Sequence, residues 1–246
     1  MNSALYFCVL AAFLPFSYGD NDAAPTIPPM VSGNAKMRTE IRKAIFGDYD
    51  KVNLPDKPNV KFGLTLVNLD VDEDKQTLEA DIWMRMSWSD DRLQWDGPTT
   101  GVNVLRVGND EVWKPDLTLY NSANAGELMS CSNVMPLVWS TGSVLWVPPC
   151  HISAYCNLTL EEHPLGEQKC MLKFGSWVYD GLIMDVQLEG KAKADTTYFM
   201  SNKWEITKNT ATRKDTYYPC CAEPYVNLTY NLVFKRKTSK NTCDKI

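Results

Sequence analysis

The chain has 246 residues, 44% of them hydrophobic and 22% charged, which is typical of a packed globular protein and excludes collagen-like, coiled-coil and fully disordered classes. Its 25 Lys and Arg against 30 Asp and Glu give a formal net charge of −5, so we expect no nucleic-acid partner. The length fits one large all-β domain or two small domains. Eight Trp, eleven Tyr and eight Phe lie mostly in strand-like runs, which favours sheets.

The N-terminus has the pattern of a secretory leader. Residues Ala4 to Phe16 form an apolar run, and the small residues Ser17 and Gly19 follow it. The run is shorter than the roughly 20 apolar residues that span a membrane. We therefore predict a secreted, extracellular protein that does not enter a membrane. The predicted segments are a signal peptide at 1–19, a flexible N-terminal segment at 20–33, the main domain at 34–237 and a polar tail at 238–246.

Hydrophobic periodicity predicts one helix followed by many strands. Apolar residues spaced by four from Met37 to Ile45 predict a short amphipathic helix that ends at Gly47. The period then becomes two, most clearly in the segments 60–66, 182–189 and 226–235. Alternating strands separated by Gly, Pro, Asn and Asp predict an antiparallel β-sandwich or barrel.

The strand from Leu78 to Trp88 places one tryptophan on an unusual face. Its even-numbered residues are apolar, whereas the odd-numbered ones are charged or polar apart from Trp83. Trp83 therefore points away from the core. A lone surface Trp is tolerated in many proteins, but one set among carboxylates and Arg is a candidate for a ligand or interface contact.

Neither a catalytic centre nor a metal site is predicted. The chain has two histidines and no hydrolase, zinc-protease or phosphate-binding motif, so we expect no enzymatic activity, cofactor or metal. The acidic run 70–74 resembles the start of a calcium loop, but Lys75 stands where such a loop needs Gly. A solvated hairpin turn is the better interpretation.

Seven cysteines remain after removal of the leader, which suggests three disulfides and one spare thiol. Cys220 and Cys221 are adjacent, and we favour a bond between them over separate distant partners. Two further bridges are reasonable on spacing, and Cys243 is left over. The predicted pairs are Cys156–Cys170, which encloses a polar loop, Cys131–Cys150, which spans a chain reversal, and Cys220–Cys221. Sequons at Asn157 and Asn227 are candidate N-glycosylation sites.

Four ordered motifs carry a family resemblance. They are WKPDLTLYNSA at 113–123, the thirteen-residue loop between Cys156 and Cys170, KFGSWVYDG at 173–181, and YYPCCAEPY at 217–225. Together they resemble the extracellular ligand-binding domain of nicotinic Cys-loop receptors. With the leader and the expected lack of membrane segments, the chain is most similar to the secreted acetylcholine-binding proteins within that family.

The resemblance implies an immunoglobulin-like antiparallel β-sandwich with a short N-terminal α-helix, assembled as a homopentamer. It also implies that acetylcholine or related cationic small molecules bind between neighbouring subunits. The implied principal-face residues are Tyr120, Trp177, Tyr218, Cys220, Cys221 and Tyr225. The implied complementary-face residues are Trp83, Leu137, Leu145 and Val147, with the last three less securely aligned.

Two departures from the receptor pattern concern signalling. Receptors carry a Phe-Pro-Phe-Asp core in the Cys loop, whereas this chain has His163-Pro164-Leu165-Gly166. Receptors also place an Asp two residues after the tyrosine that matches Tyr225, whereas this chain has Asn227 there. We therefore expect ligand binding without coupling to a channel. The alternatives are the extracellular domain of a channel subunit and an adhesion sandwich without a small ligand.

Overall fold

A computed structural model describes residues 33–124, 126, 128–159 and 166–237. The predicted signal peptide and polar tail, nearly all of the predicted N-terminal segment, and Cys243 lie outside the described residues. So does the centre of the Cys156–Cys170 loop, including His163, Pro164 and Leu165.

The predicted helix is confirmed as α1, Ala35–Phe46, followed by Gly47 at its C-cap. The side chain of Asn34 caps its first turn by accepting from Met37 N at 2.8 Å. Ile41 is the residue of α1 that is buried against the core. A second helix, α2, is a single turn at Gly97–Thr100.

Two β-sheets form the body. The large sheet has eight strands: β1 (Asn59–Asp72), β2 (Thr77–Gln94), β3 (Val104–Arg106), β5 (Ser130–Cys131), β6 (Leu137–Trp139), β7 (Thr141–Trp146), β8 (Pro149–Tyr155) and β10 (Asp185–Leu188). The small sheet has four: β4 (Leu117–Leu119), β9 (Gln168–Ser176), β11 (Trp204–Thr216) and β12 (Tyr225–Arg236).

Strand β2 is the centre of the large sheet. It pairs with β1 on one side and, along its 18 residues, with β7 and β8 on the other. The small sheet runs in the order β11, β12, β9, β4. All of these pairings are antiparallel except that β10 adds to the edge of β1 in parallel.

The two sheets pack face to face, which confirms the predicted β-sandwich. Phe62 of β1 lies 5.2 Å from Phe174 of β9 and 6.1 Å from Tyr230 of β12, measured between ring centroids. The alternation in β1, β2 and β12 directs one side of each strand into this core. The outward residues of each strand are thereby left for contacts outside the sandwich.

The strand predicted at 182–189 is shorter in the structure. Only Asp185–Leu188 forms β10, and Leu182 and Ile183 are exposed. The carboxylate of Asp180 accepts from Leu182 N at 2.8 Å, which holds the preceding residues in a turn. A hairpin turn was predicted at 70–74. In the structure β1 runs to Asp72, and the hairpin turn to β2 follows it, with Asp72 paired to Lys75.

Candidate functional site

A group of four aromatic residues at one end of the small sheet forms what we call the principal cluster: Tyr120, Trp177, Tyr218 and Tyr225. Tyr120 follows β4, and its ring centroid lies 6.4 Å from that of Trp177, which follows β9. Tyr218 and Tyr225 meet edge to face at 5.7 Å. Trp177 is 67% exposed, an unusual exposure for the largest apolar side chain, which makes the cluster a candidate surface for binding.

Residues of β9 hold the Tyr120 phenol in place. It donates to Ser176 O at 2.5 Å, and a Cβ at Gly175 would stand only 2.6 Å from its ring carbon Cζ, so the ring occupies the space that glycine leaves. Burial raises the pKa of Tyr120 to about 12. Tyr218, Asp116 and Tyr225 add to that rise in pKa electrostatically.

Asp116 anchors the segment that carries Trp177. One carboxylate oxygen accepts from Ser176 Oγ at 2.6 Å, and the other accepts from Trp177 N at 2.9 Å and Val178 N at 2.8 Å. Ser176 Oγ in turn accepts from Tyr179 N at 2.7 Å. A carboxylate with three donors is a strong local constraint, so Trp177 is held although it is exposed.

The adjacent cysteines lie at the tip of the β11–β12 hairpin. Thr216 and Tyr225 are the last paired residues, and the loop between them contains the Cys220–Cys221 disulfide. Gly181 N donates to Pro224 O at 2.7 Å, which connects this loop to the segment after Trp177. The structure contains the other two predicted pairs as well, Cys131–Cys150 and Cys156–Cys170.

The predicted complementary residues share the outer face of the large sheet, a surface we call the Trp83 patch: Trp83, Leu137, Leu145 and Val147. Trp83 is half-buried between Ile82 and Met84, both of which point into the core. Leu145 pairs with Ser87 of β2 on one side and with Leu137 on the other. Val147 follows β7 directly. A cleft of about 440 Å³ opens beside Trp83 and is walled by residues of β2, β5 and β8.

The principal cluster and the Trp83 patch belong to different sheets. Because the neighbours of Trp83 enter the core from the large sheet and Val226 enters it from the small sheet, Trp83 and Tyr225 face away from the core on opposite sides. Among the described residues no ring contact joins Trp83 to the principal cluster. The principal cluster and the Trp83 patch are therefore two separate surfaces of the chain.

The two sequons differ in accessibility. Asn157 is exposed, and its predicted glycosylation stays a prediction. Asn227 is only 3% exposed, and its Nδ2 donates to Thr216 Oγ1 at 2.7 Å. A glycan must be attached to that nitrogen, so the folded domain argues against our prediction for Asn227. Burial by neighbouring strands is invisible in a three-residue motif.

Sequence reasoning missed three features next to the candidate site. Tyr198, in the segment between β10 and β11, lies 5.2 Å from Trp83 between ring centroids. Asp116 belongs to a quoted motif, but nothing local to it indicated its bonds to β9. The ion pair between Arg85 and Glu189 lies next to Trp83 and joins residues about a hundred positions apart. Hydrophobic periodicity does not indicate any of these contacts.

Comparison with known proteins shows similarity to a receptor family. The family model described as "Neurotransmitter-gated ion-channel ligand binding domain" matches residues 38–238. The human neuronal acetylcholine receptor subunit alpha-2 is 34% identical over 90% of this chain, and the acetylcholine receptor subunit alpha-L1 of Schistocerca gregaria is 35% identical over 76%. The chain spans 44% and 35% of those two proteins. Within the described residues, no helix has the length and apolarity needed to cross a membrane.

Proposed function

Because the chain belongs to the family of neurotransmitter-gated ion-channel ligand binding domains, we propose that it binds acetylcholine and other cationic nicotinic ligands between adjacent subunits. The observation that carries this proposal is the principal cluster, four aromatic rings beside a disulfide of adjacent cysteines. A quaternary ammonium is attracted to aromatic faces through the ring quadrupoles, at about 0.5 to 2 kcal/mol per favourable contact. The site has no need of a catalytic group, so the proposed role is binding and not an enzymatic reaction.

The separation of the two half-sites supports an assembly in which each subunit completes its neighbour's site. A head-to-tail interface between identical subunits generates a closed ring when the rotation from one subunit to the next closes, and an open filament when it does not. In such a ring the principal cluster of one copy faces the Trp83 patch of the next. We propose a homopentamer, as the family resemblance implies, and one gene product then supplies both halves of every site.

We further propose that the protein acts as a secreted binding protein without a channel. The Cys-loop sequence His163-Pro164-Leu165-Gly166 supports this version. The similarity to receptor subunits favours a second candidate, the extracellular domain of a nicotinic channel subunit. Fractionation of expressing cells separates them, since a binding protein accumulates in the medium and a channel subunit stays with the membrane.

The direct test is titration of the secreted protein with acetylcholine, followed by tryptophan fluorescence, alongside a mass measurement of the assembly. Trp177→Ala and Trp83→Ala should each weaken binding by at least about tenfold, since each removes a ring that contributes about 1 to 2 kcal/mol when desolvated. The assembly should remain intact in both. Unchanged affinity in both variants would refute the aromatic site.

Mixing these two variants tests the placement between subunits. If the rings act from different subunits, random co-assembly of equal amounts leaves about one quarter of the interfaces with both tryptophans. Those interfaces should recover wild-type affinity. A mixture that regains no high-affinity binding would indicate a site within one chain.

A further inference from the structure

A permanent cation lies beside the surface that we propose receives a cationic ligand. Arg85 is the next outward residue after Trp83 on β2, about 7 Å along the strand. A guanidinium stays charged at every ordinary pH, so it would repel a quaternary ammonium bound at Trp83. Lys61, on the adjacent strand β1, adds a second positive charge near this face.

Glu189 reaches Arg85 from the far side of β1. It follows β10, and its backbone N donates to Phe62 O at 2.8 Å. Its carboxylate Oε2 lies 2.8 Å from Arg85 Nε, and the two side chains are 25% and 28% exposed. An ion pair so shielded from water is screened less than one at the open surface.

Gly63 leaves room for the Glu189 side chain to pass over β1 and reach Arg85. It pairs with Arg85 in the β1–β2 ladder, directly beneath the ion pair. A Cβ at Gly63 would stand 3.0 Å from Glu189 Oε2 and 3.5 Å from Glu189 Cβ. An isolated glycine within a strand often marks such a close approach, and here it leaves room for the Glu189 side chain to lie across β1.

The pair is a poor choice for stability alone. Burial raises the pKa of Glu189, which means that the carboxylate loses hydration, while the charges of Arg85 and Lys61 oppose the rise. Half-buried ion pairs recover little net free energy over apolar packing. A role in the charge of the adjacent face accounts better for its position next to Trp83.

We propose that Glu189 neutralises Arg85 beside the Trp83 patch and thereby determines the selectivity of the site for cationic over uncharged ligands. This inference rests on the proposed function. Glu189 acts through Arg85, so it is a positioning residue for the local charge and not a ligand contact. Without it, Arg85 loses the carboxylate with which it pairs, and the net positive charge beside Trp83 rises by one.

Three variants of the full secreted assembly test the inference: Glu189→Gln, Arg85→Gln and the double variant. A unit charge at about 7 to 8 Å in a half-hydrated site changes affinity by roughly fivefold. Glu189→Gln should therefore bind acetylcholine about fivefold more weakly, and Arg85→Gln should bind it more tightly. The double variant should return close to wild type. Weaker binding in both single variants, without recovery in the double variant, would overturn the proposal.

An uncharged ligand separates charge from structural damage. The carbon isostere of acetylcholine has carbon in place of the quaternary nitrogen. Its affinity, measured by competition with acetylcholine, should be the same for the wild type and for Glu189→Gln. An equal loss for both ligands would contradict a charge effect. Glu205→Gln is the matched control, since it removes one carboxylate from the Lys235 pair at the opposite end of the β11–β12 ladder from the cysteine tip, and should leave affinity unchanged.

The two hypotheses fail in different ways. Absence of acetylcholine binding to the wild-type protein would refute the proposed function itself. Wild-type binding together with unchanged affinity in Glu189→Gln would refute only the charge role of Glu189.

Discussion

Asp116 should control ligand affinity without touching the ligand. Asp116→Ala removes the acceptor for Ser176 Oγ, Trp177 N and Val178 N at once. Hydrogen bonds to a charged acceptor contribute about 1.5 to 3 kcal/mol each when donors stay buried. Trp177 and Val178 are both 67% exposed, so water replaces much of the loss. We expect the free energy of unfolding to fall by only about 2 kcal/mol.

The effect on binding follows from the lost order of the Trp177 segment. In the wild type this segment is held before ligand arrives, whereas in Asp116→Ala it must be ordered on binding. Fixing the backbone of one to two residues costs about 2 kcal/mol, equivalent to a roughly 30-fold weaker affinity for acetylcholine. Fluorescence titration measures the affinity, and thermal unfolding measures the stability.

Asp50→Ala is the matched control for this prediction. Asp50 likewise accepts hydrogen bonds in a turn, two against the three at Asp116, from Val52 N at 2.8 Å and Asn53 Nδ2 at 2.7 Å. It lies just after α1 in the chain and far along the chain from the hairpin tip. It should lower stability slightly and leave affinity unchanged. Affinity within threefold of wild type in Asp116→Ala would refute the idea that this carboxylate preorganises the site.

Three further predictions concern covalent structure and signalling. Peptide mapping without reduction should recover the pairs Cys131–Cys150, Cys156–Cys170 and Cys220–Cys221, and a distant partner for Cys220 would contradict the disulfide at the tip of the β11–β12 hairpin. Mass spectrometry should find glycan on Asn157 and none on Asn227, and an occupied Asn227 would mean that modification precedes burial. Residues 20–237 fused to a receptor channel should bind agonist but conduct no current, and a Phe-Pro-Phe-Asp core should restore some; a robust current from the unmodified fusion would show that the Cys-loop substitutions are neutral.

The local pattern of the chain was enough to predict much of the fold. The spacing of Met37, Ile41 and Ile45 predicted α1 and its end at Gly47, and alternation predicted β1, β12 and the outward face of Trp83. These features depend on the geometry of one element, because a strand turns every second side chain to the same face. The overestimated strand at 182–189 shows the limit, since an Asp180 turn overrides alternation in Leu182 and Ile183.

The aromatic residues of the proposed site were also predicted from the sequence, through motifs in which residue types and spacing are specific. The residues that surround them were not predicted. Periodicity indicates which side of its own strand a residue takes, but it contains no information on which distant residues meet there. Pairing between β4 and β9 brings Asp116 to the Trp177 segment, and the parallel addition of β10 to β1 brings Glu189 to Arg85.

Short-range spacing in the sequence therefore predicted the short helix and the alternating strands, and the motifs gave the residue types of the proposed site. The choice of a sandwich over a barrel came from the family resemblance. Only the tertiary structure decided that Asn227 is buried, that Tyr198 packs on Trp83, and that Gly63 leaves space for a side chain from another strand. Each of these depends on contacts between segments far apart in the chain. Such contacts are selected by the packing of whole sheets and by the shape of their loops, and no single segment encodes them.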